Sequence, residues 1–119
     1  MWEGSTSKLH PDADLVQRFA GDSFAEAFAR IECHYFVHGA FLRSDTQLLD
    51  DVPRIAHLPG VIVQGRYDVV CPAASAWELH KRWPGSRLRL VGDAGHSIGE
   101  PGIVAALVEA TDELAARPL

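Results

Sequence analysis

Two stretches of this 119-residue chain have the make-up of β-strands, and a helix stands between them. The first, Val61-Ile62-Val63, is β-branched throughout, follows the break Leu58-Pro59-Gly60 and ends at Gln64-Gly65. A continuous apolar run of this kind suits a strand buried on both faces. The second is built on Leu88, Leu90 and Val91, with Arg87 and Arg89 giving partial alternation. Between them, Pro72 is placed to be the first residue of a helix, Ala73 to Trp83 carries it, and Pro84-Gly85 stops it. Gly92 to Gly99 reads as a loop, and Pro101 opens a last helix with Ile103, Leu107 and Leu114 toward a core. The order strand, helix, strand, helix predicts α/β architecture with parallel strands and right-handed crossovers. Parallel strands need cover on both faces and more than one neighbour. The pattern is therefore expected to be the trailing edge of a larger doubly wound sheet, and the chain a piece of something longer.

Upstream of the strands the sequence is helical or irregular. Residues 1–21, with scattered Ser, Pro, Asp and Gly, read as a loop with one short helical turn near Asp14 to Phe19. Ser23 and Glu26 have capping-box spacing, and Phe24, Ala27, Phe28, Ile31, Tyr35 and Phe36 follow at helical intervals. Gly39 is a natural stop, so the spacing predicts a helix of about 15 residues. Ser44 and Asp45 offer a second N-cap. Leu48, Leu49, Val52 and Ile55 continue on one face until Pro53 interrupts, which predicts one or two short helical pieces.

Composition narrows the function. Apolar residues make up 47% of the chain and charged residues 23%, which excludes a disordered chain. No apolar run approaches the ~20 residues of a bilayer span. The net charge of −5, with no Lys/Arg stripe, argues against nucleic acid. Cys33 and Cys71 cannot build a disulfide framework, and no basic and apolar leader follows Met1, so a reducing cytoplasm is expected. Six His leave a mixed metal site open, but no spacing supports one.

Ligands of open α/β sheets bind beyond the carboxyl ends of the strands. Gly65-Arg66-Tyr67-Asp68 follows the first strand, and Gly92-Asp93-Ala94-Gly95-His96-Ser97 follows the second. Asp68 and His96, 28 residues apart, would lie side by side after one crossover. A carboxylate bonded to imidazole Nδ1 fixes its tautomer and stabilises the imidazolium. That is two thirds of a nucleophilic triad, in the order Asp then His. Plainer readings stand beside it: Asp68 as a helix cap or turn stabiliser, and His96 as an exposed loop residue.

The residues Gly65-Arg66-Tyr67-Asp68-Val69-Val70-Cys71-Pro72 and Gly92-Asp93-Ala94-Gly95-His96-Ser97 resemble the Asp and His loops of the α/β-hydrolase superfamily. Within it, Ala29-Arg30-Ile31-Glu32-Cys33-His34-Tyr35-Phe36 and Trp77-Glu78-Leu79-His80-Lys81-Arg82-Trp83-Pro84 are similar to proline iminopeptidases. The resemblance implies the C-terminal part of an α/β-hydrolase fold, with residues 1–57 the end of a helical cap and 58–119 the end of the core. It implies a serine-type aminopeptidase acting on peptides with an N-terminal proline, with no metal or organic cofactor and no nucleic-acid or membrane partner. Asp68 would take the role of orienter and His96 that of general base. Glu32 matches a cap glutamate that grips the substrate's α-amino group, and Glu3, in Trp2-Glu3-Gly4, matches another. The family's nucleophilic Ser and oxyanion loop lie upstream of the Trp-Glu segment, in an N-terminal half that this sequence lacks. Two rival readings remain: another hydrolase of the same fold, of esterase or epoxide type, and an inactive truncated product.

Other residues are assigned by the same reasoning. Gly95-His96-Ser97-Ile98-Gly99 satisfies the Gly-x-Ser-x-Gly pattern, but Gly92-Asp93-Ala94 separates it from the strand and no His follows His96, which argues against Ser97 as nucleophile. His34, Tyr35 and Phe36 are expected to pack, with His34 also a candidate lining residue of the site. Trp77 and Trp83 are expected to be core and helix-end packing. Cys71, three residues after Asp68, is placed where a thiol reagent would block the cleft.

Overall fold

The β-branched run pairs as expected. β1 (Gly60–Gly65) lies parallel to β2 (Ser86–Val91), in register from Gly60 opposite Ser86 to Gly65 opposite Val91. The structure, a computed structural model, describes the backbone of residues 2–116 and every side chain in that range except those of Trp2, Glu3, Asp22 and Ser23. The crossover between the strands carries α5 (Ala73–Arg82), and α6 (Pro101–Ala115) follows β2, so the chain is α/β with the strand, helix, strand, helix order intact. Both helices pack on the strand pair. Pro101 opens α6, whereas Pro72 stands just before α5 as its N-cap. β1 is not buried on both faces as its composition suggests. Val61, Ile62 and Val63 are half-buried, because a two-stranded sheet makes every strand an edge.

Side chains fasten these layers together. Arg89 bonds Glu109 at 2.7 Å and Glu113 at 2.5 Å, and Arg87 also pairs with Glu113, so α6 is tied to β2. The Trp83 indole N–H donates to Leu58 O at 3.1 Å. Its ring fills the space beside Gly60, where a Cβ would come within 2.3 Å of it. Trp83 is thus the packing residue expected of it; Trp77 is not, being 51% exposed.

The first 57 residues are more helical than their sequence suggests. The turn expected near Asp14 to Phe19 is part of a full helix, α2 (Ala13–Ala20), and a second helix, α1 (Trp2–Thr6), precedes it where a loop was expected. Asp12 caps α2, its side chain accepting from Leu15 N at 2.9 Å, and it also pairs with Lys8. Phe19 stands edge-on to Phe24 and Phe28 at 5.2 and 5.5 Å, which docks α2 on α3 (Asp22–Val37). The start of α3 lies one residue before Ser23, with Gly21 as N-cap, so Ser23 does not cap it; its side chain is outside the described residues.

α3 ends where Gly39 predicts, and Gly39, Ala40 and Phe41 all take positive φ. α4 (Gln47–Asp50) starts after Thr46 rather than Ser44 or Asp45, and the Thr46 hydroxyl bonds Asp50 at 2.7 Å instead of capping. The turn at Pro53 spans Val52–Arg54 and buries Val52 to 1% exposure. Tyr35 and Phe36 do not pack as expected; they are 50% and 74% exposed. The cause is local: among the described elements, α3 packs on α2 and on the turn Gly39–Phe41. No helix among the described residues is long and apolar enough to cross a membrane.

Candidate active site

Gly65 and Val91 are partners on the last rung of the sheet, so the loops after β1 and β2 leave it side by side. Backbone bonds keep them together: Arg66 N donates to Val91 O at 2.9 Å and Tyr67 N to Ala94 O at 3.0 Å. Gly65 is required here, since a Cβ would fall 1.9 Å from Gly95 O.

On this scaffold Asp68 Oδ2 meets His96 Nδ1 at 3.0 Å. The other oxygen, Oδ1, accepts from Val70 N at 2.9 Å and Cys71 N at 2.7 Å. Asp68 thus stabilises its own turn through Oδ1 and faces the His96 ring through Oδ2. The Asp68 side chain is 6% exposed and that of His96 39%. Burial pushes the Asp68 carboxyl up, but the bonds from Cys71 N, His96 and Val70 N, together with the charge of a protonated His96, outweigh it and hold the carboxyl below its ordinary 3.8. An ionised carboxylate only accepts, so Nδ1 must carry the proton, and Nε2 of the neutral ring is left with a free lone pair.

His96 and Glu32 line one cleft of about 360 Å³, with Leu15, Phe19, Phe28 and Val70 as apolar walls. Glu32 reaches it from the middle of α3, one turn beyond Phe28. The helix α1 contains Glu3, but that side chain lies outside the described residues. His34 joins His38 and Phe41, at ring separations of 4.7 and 5.4 Å, rather than the cleft. Ser97 borders the cleft too, in the loop beyond β2, and its hydroxyl accepts from Gly99 N at 3.2 Å. Cys71 is exposed, as is Cys33, and both are free thiols. No three His, Cys, Asp or Glu among the described residues group as a metal site.

Gln64 was not apparent as a site residue from sequence. Its amide donates to Asp68 Oδ2 at 3.2 Å, to Gly65 O at 3.2 Å and to Cys71 O at 3.1 Å, which braces the Asp loop. A polar side chain closing an otherwise apolar strand was the available signal. Glu100, which reaches Gly95 N at 2.7 Å, was equally hidden.

No family model matches the chain. Individual relatives do. A probable proline iminopeptidase of Leptolyngbya boryana is 59% identical over 117 residues, covering 98% of this chain and 36% of that protein. The proline iminopeptidase of Xanthomonas citri is 57% identical over 115 residues, covering 97% and 37%. That of Arabidopsis thaliana is 54% identical over 115 residues, covering 97% and 30%. The chain thus spans about a third of the length of the curated relatives it matches, and it is homologous to the C-terminal third of proline iminopeptidases.

Proposed function

We propose that this chain carries the acid and base of a serine-type α/β-hydrolase that releases N-terminal proline from peptides. Residues 1–57 would be the end of the helical cap and 58–119 the end of the core. The observation that carries the reading is the Asp68–His96 bond of 3.0 Å, made beside a cleft that Glu32 also lines. The nucleophilic hydroxyl and the oxyanion donors come, in this reading, from the part of the relatives' length that the chain does not span.

The chemistry follows from the geometry. His96 Nε2 takes the proton of the attacking hydroxyl as that oxygen bonds the prolyl carbonyl carbon. It then returns the proton to the departing amine, and water repeats the sequence to free the proline. Asp68 keeps the ring in the tautomer that makes this possible. Glu32, and Glu3 with it, pairs with the cationic amine of the substrate's first residue, which an exopeptidase must recognise.

The test is a chimera in which this chain replaces the homologous third of the Xanthomonas citri relative. The chimera should hydrolyse a proline amide. Asp68→Asn should lower kcat about 10⁴-fold, as loss of the orienting carboxylate does in triads. Glu32→Gln should lower kcat/KM for the proline amide roughly 10- to 100-fold, the weight of one charged hydrogen bond, and spare an ester that has no amine. Unchanged proline turnover in Glu32→Gln defeats the substrate assignment, and unchanged turnover in Asp68→Asn defeats the hydrolase reading.

A further inference from the structure

Three successive backbone N–H groups around His96 are held from outside their own loop. Ser7 O accepts from His96 N at 2.9 Å and from Ser97 N at 2.6 Å. Gly95 N donates to Glu100 Oε1 at 2.7 Å. The second oxygen of the same carboxylate, Oε2, accepts from Leu9 N at 3.2 Å. Glu100 is 5% exposed, and the proton transfer described above makes no use of it.

A helix cap would be the ordinary explanation for such a residue. Glu100 does stand at the N-cap of α6, but its side chain makes no cap bond to that helix. Both oxygens are instead engaged by the His loop and by the strap of residues 7–9 that follows α1. The fit is close: a Cβ on Gly95 would lie 3.0 Å from Leu9 N and 3.3 Å from Glu100 Oε1.

We infer that Glu100 is a positioning residue for His96, clamping the His loop to the strap so that the ring's approach to Asp68 depends on both. The inference rests on the reading of His96 as the base. It also gives the strap a role: the segment leading from the helix of Glu3 is registered against the residue that moves the proton. The clamp as built uses both oxygens of the carboxylate, one for each N–H donor. Gly95 N and Leu9 N lie on opposite oxygens, and a carboxamide in the same place would turn its NH₂ toward one of these donors.

The experiment uses the full chain, isotope-labelled on its histidine ring nitrogens, and follows by NMR the solvent exchange and tautomer of His96 Nδ1–H. Glu100→Gln should accelerate that exchange about tenfold. Leu9→Pro removes the strap's donor while keeping the carboxylate, and should do the same; it decides alone if Glu100→Gln does not fold. Ile103→Val, a core truncation in α6, should leave the exchange as it was. Unchanged exchange in the clamp variants, or equal acceleration in Ile103→Val, overturns the inference. A protected Nδ1–H that survives Asp68→Asn overturns instead the reading of the acid–base pair on which the inference rests.

Discussion

Asp68 bonds two backbone N–H groups of its own loop with one oxygen and the His96 ring with the other. Its carboxyl is held below the ordinary 3.8, so it stabilises the folded chain at pH values above 3.8 and loses that contribution as pH falls through the lower folded value. Urea denaturation at neutral pH and at about pH 3 should therefore show the parent losing more stability on acidification than Asp68→Asn does. Gln64 should matter to the same loop: Gln64→Leu should cost about 1–2 kcal/mol in urea denaturation, because its amide serves three acceptors there. Asp68 and His96 were legible because topology alone brings two strand-end loops together. Gln64 and Glu100 were not, since their partners, Asp68 Oδ2 apart, are backbone groups whose positions emerge only once the loops are folded against each other.

Elements were legible where the chain supplies its own periodicity. The strands, α3, α5 and α6 follow from β-branching, helical spacing and Pro/Gly punctuation. α1 was not foreseen, and α2 only as one short turn near Asp14 to Phe19. α2 forms because Asp12 caps it and because Phe19 finds Phe24 and Phe28 on a neighbouring helix. Asp12→Ala should accordingly cost about 1 kcal/mol. The junction of the two loops is less forgiving. Gly65→Ala would drive a methyl into Gly95 O and should destabilise by about 3 kcal/mol. Gly92→Ala, with nothing within 4 Å of the added carbon, should be nearly silent in the same urea titration.

The whole molecule is more open than its length calls for. Its radius of gyration is 16.4 Å, against about 13–14 Å for a compact chain of this size. Its accessible surface is 8509 Å², where about 6300 Å² is typical of a 13 kDa monomer. Much of the excess is apolar: Ile31, Phe36, Val37, Leu48 and Val69 are each more than 60% exposed. Such surface, together with two unprotected strand edges, favours association. Sedimentation velocity on the 119-residue chain should show a coefficient that rises with concentration; a monomer at every concentration would refute this. By the proposal above, the chain assayed by itself should turn over no proline amide.

The pairing of Gly65 with Val91 has a consequence for redesign. The Asp and His loops leave from one rung, so the distance at which they start is set by the spacing of neighbouring strands, about 4.8 Å, and not by the arc of polypeptide that links them. Residues 73–85 are thus free, within the demands of packing, to be shortened, lengthened or replaced by another helix while the two loops keep their starting distance.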